Sequence, residues 1–186
     1  MLKPVNKTVM HSYPGLVALI TSAFEGETNI MAAGWHSYIS YDPPIYGVAV
    51  AEERYSHRLM KESGSFAVQF VSADHAAVIQ KAGTYSGSDG GKLEKIGLSW
   101  QKGRSVPVPV LDCAYVAYEC RVIDRNTYGD HDWFVADITQ FHQDPSCFQE
   151  NGLPNMEANP LPLYLGRSTY LTADEQTSRR NVHIRR

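Results

Sequence analysis

Cysteine is scarce in this 186-residue sequence: Cys113, Cys120 and Cys147 are the only three, and no two stand in a CxxC spacing. An odd, scattered set argues against a disulfide framework or a zinc knuckle and suits a reducing compartment. No apolar run is long enough to span a bilayer. The opening residues, MLKPVNKTVMHSYPG, have no long apolar stretch behind their charges, so no signal peptide is read there and cytoplasm is expected. A positive surplus is missing as well. The net charge is −3, which leaves no nucleic-acid footprint. The short basic run of Arg179, Arg180, Arg185 and Arg186 reads as a solvated tail or a partner contact.

The common catalytic signatures are also missing. There is no GxGxxG and no HExxH, and the seven histidines are scattered without ligand spacing, so no metal is expected. Ser86 to Lys92 (SGSDGGK) fails as a phosphate loop, because Ser86 replaces the first glycine and Leu93 follows the lysine. Gly83 to Gly87 (GTYSG) places its serine one residue late for a nucleophile elbow.

What is present is a succession of short apolar and alternating segments. Leu16–Ser22, Ile30–Ser40, Ile45–Ala51, Phe66–Val71, Ala114–Asp124, His131–Phe141 and Tyr164–Leu171 read as strands. In the third, Tyr46, Val48 and Val50 share one face, and Gly47 and Ala49 the other. In Ala114–Asp124 the apolar face ends in Tyr118, Cys120 and Val122, with Glu119 and Arg121 opposite; Cys120 reads as a small buried hydrophobe. Ser56–Ser63 predicts a helix with Leu59 and Met60 inward and Gly64 after its end. A second helix is expected from an Asp74 cap through Ala82, stopped by Gly83, with Lys92–Ile96 as a single helical turn. Val106–Val110 alternates with prolines and is extended but not a central strand. Residues 144–162 predict an exposed excursion. Strands follow one another without a helix between each pair. The expectation is one domain over residues 1–186, mainly β, an antiparallel barrel or sandwich with two or three short helices attached.

Two stretches carry the chemistry. Asn29 to Pro44 (NIMAAGWHSYISYDPP) sets Ala32, Ala33 and Gly34 beside Trp35. Small residues leave the backbone bare, so a flat ligand can lie against main-chain N–H groups. Asp42, Pro43 and Pro44 then force a turn. Ala51 to His57 (AEERYSH) leaves a strand and begins a helix, where free N–H groups and the helix dipole favour an anion. Arg54 can clamp a phosphate, with Ser56 and His57 as further donors. Read otherwise, the first stretch is a plain core strand and loop, and the second a solvated turn in which Arg54 pairs with Glu52 or Glu53. Residue types leave both readings open.

Four segments, in order from about Pro14 to Leu171, resemble the flavin reductase-like proteins, including the flavoredoxins. They are Asn29–Pro44, Arg54–His57 (RYSH), Gly129–Ile138 (GDHDWFVADI) and Tyr164–Tyr170 (YLGRSTY). The resemblance implies an FMN-binding split β-barrel, antiparallel and Greek-key-like, usually a homodimer with FMN near the subunit interface. It implies reduction of flavin by NADH or NADPH, or, in a flavoredoxin-type carrier, electron transfer with little pyridine-nucleotide activity. It places the flavin ring against Met31, Ala32, Ala33, Gly34 and Trp35, with Asn29 nearby. It places the phosphate on Arg54, Ser56 and His57 just past Ala51, and His131 near the nicotinamide or the reactive face. Lys92 matches a family lysine. Tyr164, Arg167 and Tyr170 are candidates for the pocket mouth or the dimer seam. Many relatives carry hydroxyl residues where this chain has Met31, Ala33 and Gly34.

Overall fold

A computed structural model describes residues 3, 4, 6, 14–180 and 182. Most of the opening segment, and Arg185 and Arg186 of the basic run, lie outside the described residues. The chain forms strands β1 (Ala18–Phe24), β2 (Glu27–Ala33), β3 (His36–Tyr41) and β4 (Pro44–Ala51) before helix α1 (Tyr55–Ser63). Strand β5 (Ser65–Val71) leads to helices α2 (Ala76–Thr84) and α3 (Lys92–Ile96) and the short strands β6 (Trp100–Lys102) and β7 (Pro109–Leu111). Two long strands, β8 (Ala114–Tyr128) and β9 (His131–Gln143), and the pair β10 (Leu161–Gly166) and β11 (Thr169–Ala173) complete it.

Seven strands make one antiparallel sheet in the order β2-β1-β5-β8-β9-β4-β3. The sheet wraps around a core of alternate residues: Ala18 and Ile20 from β1, Tyr46, Val48 and Val50 from β4, Phe66 and Val68 from β5, Cys120, and Phe134, Ala136 and Ile138 from β9. Period-two alternation puts these on one face, as the sequence pattern predicts. Met60 of α1 joins them from the β4–β5 connection. The helix ends at Gly64, whose φ of 64° needs a residue without Cβ strain. A second core lies outside the sheet, where Ile79 and Ala82 of α2 and Leu93 and Ile96 of α3 cover Leu19 and Ile30.

The edges β2 and β3 are consecutive in the chain, and this is what splits the barrel. The expected single strand Ile30–Ser40 is therefore two. The chain turns a corner at Gly34–Trp35, β2 pairing with β1 and β3 with β4, and the Trp35 carbonyl accepts from Ala49 N–H at 3.0 Å. The small and apolar run Ile30–Trp35 continues through the corner with no proline or polar turn cluster, so the sequence does not mark it.

Other expectations are corrected too. Tyr164–Leu171 is a hairpin, not one strand, because Arg167 and Ser168 take positive φ between β10 and β11. Asp74 does not cap α2. It sits in a 3-10 turn behind Ser72, and the helix then runs through Gly83 to Thr84. Residues 144–162 are exposed over much of their length, as expected, but are anchored where Cys147 and Phe148 pack with Tyr115 and Leu161.

Candidate functional site

A cleft of about 390 Å³ opens where the β2 end, the Gly34–Trp35 corner, the first turn of α1 and the α2–α3 connection meet. That volume lies within the roughly 300–1,000 Å³ typical of small-molecule sites. Its floor is Met31, Ala32, Ala33 and Gly34, with Trp35 as a wall, 41% exposed. A Cβ built on Gly34 would meet nothing within 4 Å, so the main chain there is bare.

At one end the cleft is cationic. Arg54 is the N-cap of α1, in extended backbone, with no side-chain cap bond, so the first-turn N–H groups lack a side-chain partner. Its guanidinium is 3.8 Å from Glu53, an exposed pair worth about 0–1 kcal/mol, and so stays available. Lys92 is 4% exposed and donates to the Ala82 carbonyl at 2.8 Å. Burial, and then Arg54, push its ammonium down to about 8. Among the described residues no carboxylate lies within 4 Å of it. A buried cation without a counter-ion, beside a second cation, is a demand for an anion. Asn29, 2% exposed, donates to Ser56 Oγ at 2.8 Å, while its Oδ1 is buried with no partner.

The other end is aromatic. The His131 ring lies 4.8 Å from Trp35, and its Nδ1 sits 2.7 Å from Asp130. The register Ala51↔His131 sets this edge beside the strand end that leads to Arg54.

The cleft gathers the candidate ring, phosphate and nicotinamide residues named from the sequence, except His57. The His57 side chain points away and is 3% exposed. Its Nε2 meets Asp132 Oδ2 at 2.8 Å, and its ring packs edge-on against Phe134. Arg54 precedes the helix in extended backbone, so helical periodicity does not hold the two side chains on one face. Tyr164, Arg167 and Tyr170 are also elsewhere. Tyr164 and Tyr170 face each other across the β10–β11 hairpin, and Tyr170 donates to Gln80. Sequence reasoning missed Ala49, Glu53, Tyr55 and the segment Ala82–Gly87. The signal in that segment was its glycines and serines just before Lys92, which match no phosphate-loop spacing. Gly87 fits so tightly that a Cβ there would come within 2.6 Å of Asn29 Oδ1 and of Tyr55.

The family model for the flavin reductase like domain matches residues 10–173. The chain belongs to the flavin reductase-like family. Among curated relatives of this family member, an uncharacterized protein of Pyrococcus abyssi is 33% identical over 90% of this chain and 95% of its own. A protein of Rhodococcus sp named NADH-dependent flavin reductase is 24% identical over 82% and 76%. An FMN-binding protein from Thermus thermophilus, solved with bound 1-cyclohex-2-enone, superposes with TM-score 0.81 at 27% identity, covering 97% of each chain. Flavoredoxin of Desulfovibrio vulgaris (Miyazaki F) superposes with TM-score 0.83 at 24% identity, over 96% and 97%, and shows the same split-barrel fold. Of the four segments that carry the family resemblance, the first three converge on the cleft, and Tyr164–Tyr170 stands apart.

Proposed function

We propose that this protein binds FMN in the cleft and acts as an NAD(P)H-dependent flavin oxidoreductase. The observation that carries the reading is the cleft's asymmetry: a bare small-residue floor joined to an end where Arg54 and the buried Lys92 stand without a strong counter-ion. A planar ring with an anionic tail matches both parts. The unpartnered Asn29 Oδ1 and the close-fitting Gly87 fit a site that a ligand completes.

Bound flavin would supply hydride-transfer chemistry, and the protein would align it and control water. Backbone N–H groups along Met31–Trp35 hold the ring, and Trp35 shields one side. Arg54, Ser56 and the α1 N-terminus hold the phosphate with charge-assisted bonds. His131, oriented by Asp130, is the group we assign to the nicotinamide side. A carrier with little NAD(P)H activity would call for a covered site. No residue of 144–162 lines the cleft, which favours an open shelf and the enzyme. No described helix is long and apolar enough to cross a membrane. Three free thiols accord with the proposed cytoplasmic setting. A homodimer with FMN near its seam is part of the same proposal.

Anaerobic mixing of FMN-loaded protein with NADH and with NADPH, followed by the flavin spectrum, tests the reading. Bleaching at a catalytically useful rate by either is expected. A protein that takes up FMN and bleaches with neither is a carrier, and one that takes up no FMN removes the proposal.

A further inference from the structure

Behind the anion end, on the first turn of α1, lies a buried ionic cluster that does not line the cleft. Asp132 of β9 is 7% exposed and accepts three bonds, from Thr127 Oγ1 at 2.6 Å, His57 Nε2 at 2.8 Å and Arg125 Nη1 at 2.8 Å. These ties join β8, β9 and α1. Removing a carboxylate from water costs several kcal/mol unless it is fully bonded, and apolar side chains pack such a space at least as well. What the cluster adds is direction.

The direction falls on one turn of helix. Ser56 accepts from Asn29 of β2, and the next residue, His57, bonds Asp132 of β9. Successive residues are thus pinned to two different strands, so the first turn of α1 can neither rotate nor slide. That turn begins at Arg54 and carries the N–H groups of the anion end. The floor of the cleft belongs to the sheet and does not depend on this joint.

Resting on the FMN reading above, we infer that His57 and Asp132 are positioning residues: their buried bond sets the phosphate seat without touching the ring seat. The pair confers a preference for a phosphate monoester over the same ring bearing only a hydroxyl. His57 acts through the helix, not through the ligand.

Dissociation constants for FMN and riboflavin, measured by fluorescence titration on the wild type, His57→Leu, His57→Gln and Asp132→Asn, test this. In His57→Leu and Asp132→Asn the preference for FMN falls about tenfold or more, with riboflavin affinity unchanged. In His57→Gln most of the preference survives, because the glutamine amide can still donate to Asp132. Equal weakening of both ligands, or an unchanged preference in both disruptive variants, overturns the inference. If His57→Leu does not fold, the isosteric Asp132→Asn decides by the same criteria. A wild type that binds riboflavin as tightly as FMN overturns the FMN reading and this inference with it, whereas a wild-type preference that survives in the variants overturns the inference alone.

Discussion

At the scale of single residues, the cleft separates charge from shape, and each can be removed alone. Arg54 is exposed and tied only to Glu53, so its loss leaves the fold intact. Arg54→Ala is expected to weaken FMN binding by about 1.5–3 kcal/mol, the worth of a charge-assisted bond, with an unchanged melting temperature. Titration of FMN into the folded variant checks this. Gly34 tests shape. Its built Cβ meets no protein atom, so Gly34→Val folds, yet the valine projects onto the floor where the ring lies. Loss of flavin uptake with an unaltered circular dichroism spectrum is expected; a yellow Gly34→Val protein would refute the ring placement. Lys92 adds a pH dependence. Burial and Arg54 hold its ammonium near 8, and an anion binds the charged form. FMN affinity therefore falls as pH rises through about 8, while riboflavin affinity changes less.

At the scale of elements, a single carboxylate decides how the β6–β7 hairpin is fixed. Glu119 lies on the face of β8 away from the barrel interior and is buried under residues 104–106. Burial raises its carboxyl, but N–H bonds from Arg104, Val106 and Ser105 and the His142 ring outweigh that and hold it at about 2. A carboxylate whose folded value lies below its unfolded one contributes stability above about 4.5, lost as pH falls towards 2. Glu119→Gln is expected to cost about 3 kcal/mol at neutral pH and to flatten acid unfolding between those values, readable in urea titrations at pH 7 and pH 3. The alternation of β8 showed that Glu119 and Cys120 face opposite ways. It did not show that a loop from residues 103–108 would cover Glu119, because that contact depends on chain folded over from elsewhere. The same limit explains His57. An anion-binding helix start was legible in RYSH, but which of its side chains faces the cleft depends on how α1 docks. The corner at Gly34–Trp35 was hidden for another reason: one run of small and apolar residues, Ile30–Trp35, carries the chain from one sheet edge to the other with no proline or polar turn cluster to mark the bend.

At the scale of the molecule, the barrel was legible because its interior is built from strict alternation, as in Tyr46, Val48 and Val50 or Phe134, Ala136 and Ile138. The outer face was less so. There β3 and β9 carry large apolar groups over β4: the Trp133 ring lies over Gly47, where a Cβ would clash with it and come within 2.8 Å of Ile39. Ile39 is 48% exposed, and Ile123 and Tyr128 on β8 are exposed as well. The patch borders Trp35 and His131, the aromatic end of the cleft. Clustered exposed apolar groups of this kind mark interaction surfaces, and the two-fold dimer is the commonest homo-oligomer. The proposed homodimer would use it, which would bring the seam to the flavin. Light scattering is expected to give about twice the 20.8 kDa chain mass. Ile39→Asp, on the patch but outside the cleft lining, is expected to shift the protein to monomer and to weaken FMN binding together, since the seam would close one side of the site. A wild type that scatters as monomer at all concentrations while binding FMN tightly would instead make the cleft self-sufficient and leave the patch to another partner.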